Sequence, residues 1–247
     1  MGASQEIFVF PDHDTLAAAA GARLITAVVD AQNARGTAHL SLTGGRGGTS
    51  VLEAVLASPA AGAVDWSNVD FWWSDERFLP EGDPERNETG ARDALLDHIN
   101  ALPEKIHYMP RLGEQYGDDV DAAAAGYAAE LDKAFGGQQP VFDVSLLGIG
   151  EDAHVASLFP GRDEQFAAET TVSVRNSPKP PPTRCTFNMA TIQSSREVWL
   201  IASGAGKADA IKLATSGLSA QEAPAGVARG INRSLVLCDK DAASGIE

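Results

Sequence analysis

Short apolar runs and longer Ala-rich segments alternate along this 247-residue chain. Ile7–Phe10, His39–Leu42, Val69–Trp73, Ile106–Met109, Phe142–Leu147, Glu197–Ala202 and Ser234–Leu237 predict strands, and Thr171–Val174 and Cys185–Met189 predict two more. Between them lie helical segments. Asp12 or Asp14 caps a helix running to about Arg35, and Gly36 stops it. Further helices are predicted from about Thr49 to Ala57, from Asn87 to about Ile99, from Asp118 to Phe135 before Gly136-Gly137, and from about Lys207. Phe142–Leu147 is apolar on both faces at most positions, as in a buried parallel strand. The alternation predicts an α/β fold over residues 1–247: a single domain with a mostly parallel β-sheet flanked by helices, Rossmann-like. Ser177–Arg184 is rich in proline but lies between two short predicted strands, which favours an ordered loop over a linker.

Charge narrows the partners. The chain has 34 acidic and 19 basic residues and a net charge of -15. Such a chain repels nucleic acid and anionic membrane surfaces, so neither is expected as a partner. An anionic substrate would need the few cations gathered at its site. The two cysteines, Cys185 and Cys238, have no metal-type spacing and imply no disulfide framework, which favours a reducing compartment. No signal-type N-terminus is evident, and no apolar run reaches the ~18–20 residues of a membrane span. The expected location is cytoplasmic. No His/Cys cluster suggests a metal, and no cofactor is expected.

Candidate chemistry gathers where predicted strands end. After His39–Leu42 comes Thr43-Gly44-Gly45-Arg46-Gly47-Gly48-Thr49, whose glycine N–H groups and helix start suit a phosphate, with Arg46 adding charge and Thr49 a hydroxyl. The Walker spacing is absent. After Val69–Trp73 comes Ser74-Asp75-Glu76-Arg77; two carboxylates beside an arginine are costly to bury unless paired or functional. After Phe142–Leu147 comes Gly148 through Gly161, in which two glycines are followed by Asp152 and His154, an acid and a base on one turn. Ser157 nearby leaves an acyl-enzyme route open. Gly148-x-Gly150-x-x-Ala153 also fits a dinucleotide fingerprint, but Pro160-Gly161 cuts the helix that fingerprint needs to about two turns. Gly204-Ala205-Gly206-Lys207 closes the set. A lysine at a helix start opposes the dipole unless an anion is bound there. Arg175, Lys179 and Arg184 of the proline-rich loop add to the cations near strand ends.

These five segments, in their order along the chain, with Ser177–Arg184 before Gly204–Lys207, resemble the 6-phosphogluconolactonases, which share a superfamily with glucosamine-6-phosphate deaminase. The resemblance spans nearly the whole chain. It implies a sugar-phosphate isomerase-type α/β fold and hydrolysis of 6-phospho-D-glucono-1,5-lactone in the oxidative pentose phosphate pathway. It implies His154 as general base, Asp152 orienting it, Arg77 and backbone N–H groups at the developing oxyanion, and Asp75 on sugar hydroxyls or anchoring Arg77. Gly44, Gly45, Arg46, Thr49, Arg184 and Lys207 would hold the phosphate. The chain departs from the family at Ala153, where Gly is usual; alanine keeps the turn only if φ is negative there. It departs again at Arg46-Gly47-Gly48 in the first loop. The related deaminases continue after Asp-Gly-His with an Ala-Phe-Asn-Glu run whose acid assists ring opening. Here the run is Ala156-Ser157-Leu158-Phe159, which favours a lactonase over a deaminase or isomerase. A non-catalytic sugar-phosphate binding protein is the third reading.

Overall fold

A computed structural model describes residues 2–246 of the chain. Six strands form one parallel sheet: β1 (Gln5–Phe10), β2 (Ala38–Leu42), β3 (Val69–Trp73), β5 (Val144–Gly148), β8 (Glu197–Ala202) and β9 (Arg233–Asp239), in the spatial order β1-β9-β8-β5-β2-β3. The intervening β4 (Asp75–Arg77), β6 (Thr171–Val174) and β7 (Arg184–Phe187) make a separate antiparallel sheet, ordered β4-β7-β6. The helices are α1 (His13–Arg35), α2 (Gly45–Ala57), α3 (Asn87–Ala94), α4 (Val120–Ala134), α5 (Met189–Gln193) and α6 (Ala208–Thr215), with further short turns.

Local chemistry accounts for the main boundaries. Asp12 caps α1 by accepting the Thr15 N–H at 2.8 Å. Gly36, at φ 81°, ends it by donating to the Gln32 oxygen at 2.7 Å. β5 is buried at four of its five positions, as a strand covered on both faces must be. An aromatic layer covers the sheet beside α4, where Trp72 packs on Phe142, Phe135 and Tyr127, and Phe142 stacks on Phe187 of the small sheet.

Three expectations are corrected, and two predicted strands find their place in the second sheet. The second helix starts at Gly45, not Thr49, so the glycines form its first turn. Gly48 faces the end of β2 so closely that a Cβ would lie 2.3 Å from the Thr43 carbonyl oxygen. The third predicted helix stops at Ala94 and gives way to a 3-10 turn, Leu96–His98. Ile106–Met109 is not a strand; only Ile106 bridges to Phe71. Thr171–Val174 and the Cys185 run are strands, but outside the parallel sheet. A strand period reports burial, not the partner strand.

The strands all run the same way, but the order in which the chain adds them to the sheet reverses between β2 and β5. β3 lies on one side of that seam, and β8, β9 and β1 on the other. Such a reversal leaves a crevice beyond the carboxyl ends of the two strands, because their following loops turn away from each other. Among the described residues no helix is long and apolar enough to cross a membrane.

Candidate active site

The crevice beyond β2 and β5 is a cleft of about 250 Å³. Thr43, Gly44 and Gly45 reach it from the end of β2, Asp75 and Arg77 from β4, and Gly148, Gly150 and His154 from the end of β5. Asn87 comes from the start of α3, Lys179 and Arg184 from the proline-rich segment and β7, and Lys207 from the turn before α6.

After β5 the chain makes tight turns and no helix. The Gly150 N–H donates to the His154 carbonyl oxygen at 2.9 Å, and the Ala153 N–H donates to the Gly150 oxygen at 3.0 Å. This fold-back removes the dinucleotide reading, because no helix N-terminus follows the glycines. Ala153 stands at φ 62°, so the expectation of a negative φ is corrected. The turn is made in the left-handed region, at a cost of roughly 1–2 kcal/mol for a residue with a Cβ. The Ala153 methyl is fully buried, and its carbonyl accepts the Ala225 N–H at 3.0 Å; these contacts hold the conformation.

The turn brings acid and base together. His154 Nδ1 lies 2.5 Å from Asp152 Oδ1, and Phe159 packs on the imidazole at 4.5 Å between centroids. A carboxylate at Nδ1 fixes the proton there and leaves Nε2 as the acceptor. Nε2 bonds to no described residue. Burial holds the imidazole below its ordinary pKa, with Asp152 and Asp75 opposing. The neutral, basic form is therefore favoured at neutral pH. Gly150 makes room for the ring: a Cβ there would lie 1.9 Å from His154 Nδ1.

The Ser74–Arg77 segment divides its labour. Glu76 is sealed, with its carboxylate capping α3. It accepts the N–H groups of Arg77, Asn87 and Glu88 at 2.8, 2.7 and 2.9 Å. Burial pushes its carboxyl up to about 7, with Arg86 and those N–H groups opposing. Asp75 is 5 % exposed and receives the Ser157 hydroxyl at 2.6 Å and the Asn87 amide at 3.3 Å. Ser157 is thus committed to Asp75 and sealed from the cleft, which closes the acyl-enzyme route. Arg77 donates through Nη1 to the Glu85 carbonyl oxygen, while its buried Nε has no partner among the described residues.

The cations are unequal. Arg184 is buried, and it donates to the carbonyl oxygens of Pro181, Lys179 and Pro180 at 3.0, 2.9 and 3.0 Å. Its Nη1 lies 3.9 Å from Asp75 Oδ2. Burial lowers its pKa, with Asp75 opposing. Arg184 therefore shapes the proline-rich loop and balances Asp75, with little donor capacity left. Lys207 is freer, and burial lowers its pKa while Glu151 opposes. Lys179 pairs loosely with Glu151 at 3.7 Å. The α2 N-terminus has no side-chain cap, so its first N–H groups stay available at Gly44 and Gly45. Arg46 and Thr49 do not line the cleft. Arg46 is exposed, and Thr49 lies one turn into α2, facing Gly90 of α3. Asn87 was missed as a site residue, since at the level of sequence it reads only as an ordinary helix start.

Residues 11–237 match the family described as glucosamine-6-phosphate isomerases/6-phosphogluconolactonase. A 6-phosphogluconolactonase of Streptomyces coelicolor is 50% identical over 249 residues, covering 99% of this chain and 95% of that protein. One from Mycobacterium tuberculosis is 44% identical, covering 98% of both chains. The crystal structure of 6-phosphogluconolactonase from Thermotoga maritima superposes with a TM-score of 0.84 at 20% identity, over 96% of this chain and all of that one; this likeness concerns the fold alone.

Proposed function

Since this chain belongs to the family of glucosamine-6-phosphate isomerases and 6-phosphogluconolactonases, we propose that it hydrolyses 6-phospho-D-glucono-1,5-lactone to 6-phosphogluconate, with His154 as general base. The observation that carries the assignment of roles is the Asp152–His154 pair, 2.5 Å apart, with Nε2 open to a cleft that also holds Lys179, Lys207 and Arg77. Nε2 takes a proton from water as the water oxygen attacks the lactone carbonyl carbon. Asp152 stabilises the imidazolium that forms. Arg77 is the donor for the oxyanion, through the guanidinium N–H groups that it does not give to the Glu85 carbonyl. The tetrahedral intermediate collapses by breaking the bond to the ring oxygen, which takes the proton back from His154 Nε2. The carboxylic acid so formed ionises at neutral pH.

Lys207, Lys179 and the uncapped start of α2 at Gly44 and Gly45 hold the 6-phosphate, whose binding places the carbonyl against the water. Arg184 supports this arrangement from behind, through Asp75 and the loop carbonyls. A deaminase would need an acid to assist ring opening. At the corresponding place stands Phe159, packed on the imidazole, which favours the lactonase. The reaction as drawn uses protein side chains and water alone. We take residues 1–247 as one domain, because both sheets contribute to one cleft. We place the protein in the cytoplasm, a reading supported by two free, buried cysteines.

The test is hydrolysis of lactone generated in place by glucose-6-phosphate dehydrogenase, measured against the spontaneous rate. Acceleration that His154→Ala abolishes is expected. Ammonia release from glucosamine 6-phosphate would favour the deaminase, and tight binding of 6-phosphogluconate without acceleration would favour a binding protein.

A further inference from the structure

We propose that Asn87 accepts a hydrogen bond from one ring hydroxyl of the substrate through its side-chain oxygen, and so helps set which sugar lactones the site takes. The inference rests on the lactonase reading above. Asn87 is 6 % exposed and lines the cleft beside Asp75 and Gly44. Its backbone is pinned, because its N–H donates to Glu76 Oε1 at 2.7 Å. Its side-chain Nδ2 lies 2.8 Å from the Asp75 carbonyl oxygen and 3.3 Å from Asp75 Oδ1. A backbone carbonyl oxygen is an acceptor only, so the NH₂ must face it. The amide oxygen is therefore turned the other way, over Gly44. A Cβ on Gly44 would lie 1.8 Å from that oxygen, so only glycine admits this placement.

The oxygen receives no bond from any described residue, and it is not among the sealed polar atoms. It is an oriented acceptor open to the cleft and lacking a donor. The Asp75 carboxylate stands beside it. Two acceptors on one wall repel phosphate and carboxylate groups and match O–H groups. On a sugar-phosphate lactone at neutral pH the donors are the ring hydroxyls. The cations of Lys179 and Lys207 take the phosphate, and the wall of Asn87 and Asp75 takes a hydroxyl.

The experiment crosses the enzyme with deoxy substrates. Wild type and Asn87→Ala are assayed on the 6-phosphogluconolactone and on its 2-deoxy, 3-deoxy and 4-deoxy forms. One hydrogen bond corresponds to about a tenfold change in KM. One deoxy lactone should show that loss with wild type and no further loss with Asn87→Ala, while the other two show the full loss only with the variant. Equal losses on all four lactones, or a fall in kcat alone, would mean that Asn87 acts only through Asp75 and would overturn the proposal. Should Asn87→Ala fail to fold, Asn87→Ser takes its place in the same cross. Wild-type KM unchanged on all three deoxy lactones overturns the proposal without any variant. Failure of wild type to hydrolyse the parent lactone would instead refute the lactonase reading.

Discussion

Gly150→Ala should disable the cleft without unfolding the protein. Gly150 does not have a positive φ, so its backbone conformation accepts alanine. The obstacle is the imidazole. The new Cβ would lie 1.9 Å from His154 Nδ1, 2.0 Å from Cε1 and 2.7 Å from Cγ. Restoring an ordinary contact of about 3.4 Å moves the ring by roughly 1.5 Å, since the backbone on both sides is held by the Gly150–His154 and Ala153–Gly150 bonds. A shift of that size breaks the 2.5 Å bond to Asp152 and carries Nε2 away from the attacking water. Misplacement by about 1 Å costs about 100-fold, or about 2.7 kcal/mol of barrier. The ring borders open space and swings into the cleft, so the unfolding midpoint should change little. Gly148→Ala is the control, for its Cβ would meet only Thr43 Oγ1, at 4.0 Å. The assay is steady-state lactone hydrolysis, with the His154 ring titration followed by NMR. A Gly150→Ala enzyme with kcat within threefold of wild type and an unshifted imidazole titration would show that His154 does not need the room Gly150 leaves it.

Four further outcomes follow from the same geometry. The acid limb of kcat/KM should lie below the ordinary imidazole value of about 6.5, because burial favours the neutral ring and activity is lost as pH falls through the His154 pKa. Asp152→Asn removes the group that opposes this shift, so the limb should move to still lower pH as kcat drops by ~10²–10⁴-fold; a limb that moves upward contradicts the assignment. Lys207→Ala should raise KM for the phosphorylated lactone by roughly 10–100-fold with kcat nearly kept, as for one charge-assisted hydrogen bond, and an unchanged KM removes Lys207 from the phosphate site. Ala153→Gly relieves about 1–2 kcal/mol of left-handed strain but gives up a buried methyl worth about 0.8 kcal/mol and about 0.4–1 kcal/mol of unfolded-chain entropy, so urea unfolding should find it within about 1 kcal/mol of wild type. A loss above about 2 kcal/mol would show that the strain had been overcounted.

The order of elements was legible because each was specified locally. Asp12 and Gly36 bound the first helix by capping chemistry, which operates over three or four residues. Phe142–Leu147 declared a central strand because burial on both faces leaves no polar alternation. Asp152 and His154 stood out for the same reason: the glycines, the acid and the base lie within seven consecutive residues, and the turn that joins them is local. The sequence misled where a distant contact decided. The predicted strand at Ile106–Met109 found only one bridge.

The charges of the site divide along the same line. By itself the sequence determined that cations gather near strand ends in an acidic chain and that an acid–base turn follows the central strand. Tertiary structure decided which of those groups share one cleft. It bound Arg184 to loop carbonyls and Asp75, turned Ser157 away from the imidazole, left Arg46 and Thr49 outside, and brought in Asn87 from a helix start. Residue type and near-neighbour spacing fix what a side chain is able to do and how its own turn folds. Whether its donors and acceptors remain free depends on partners far along the chain, such as Ser157 and Asp75, 82 positions apart, and these meet only when the sheet assembles.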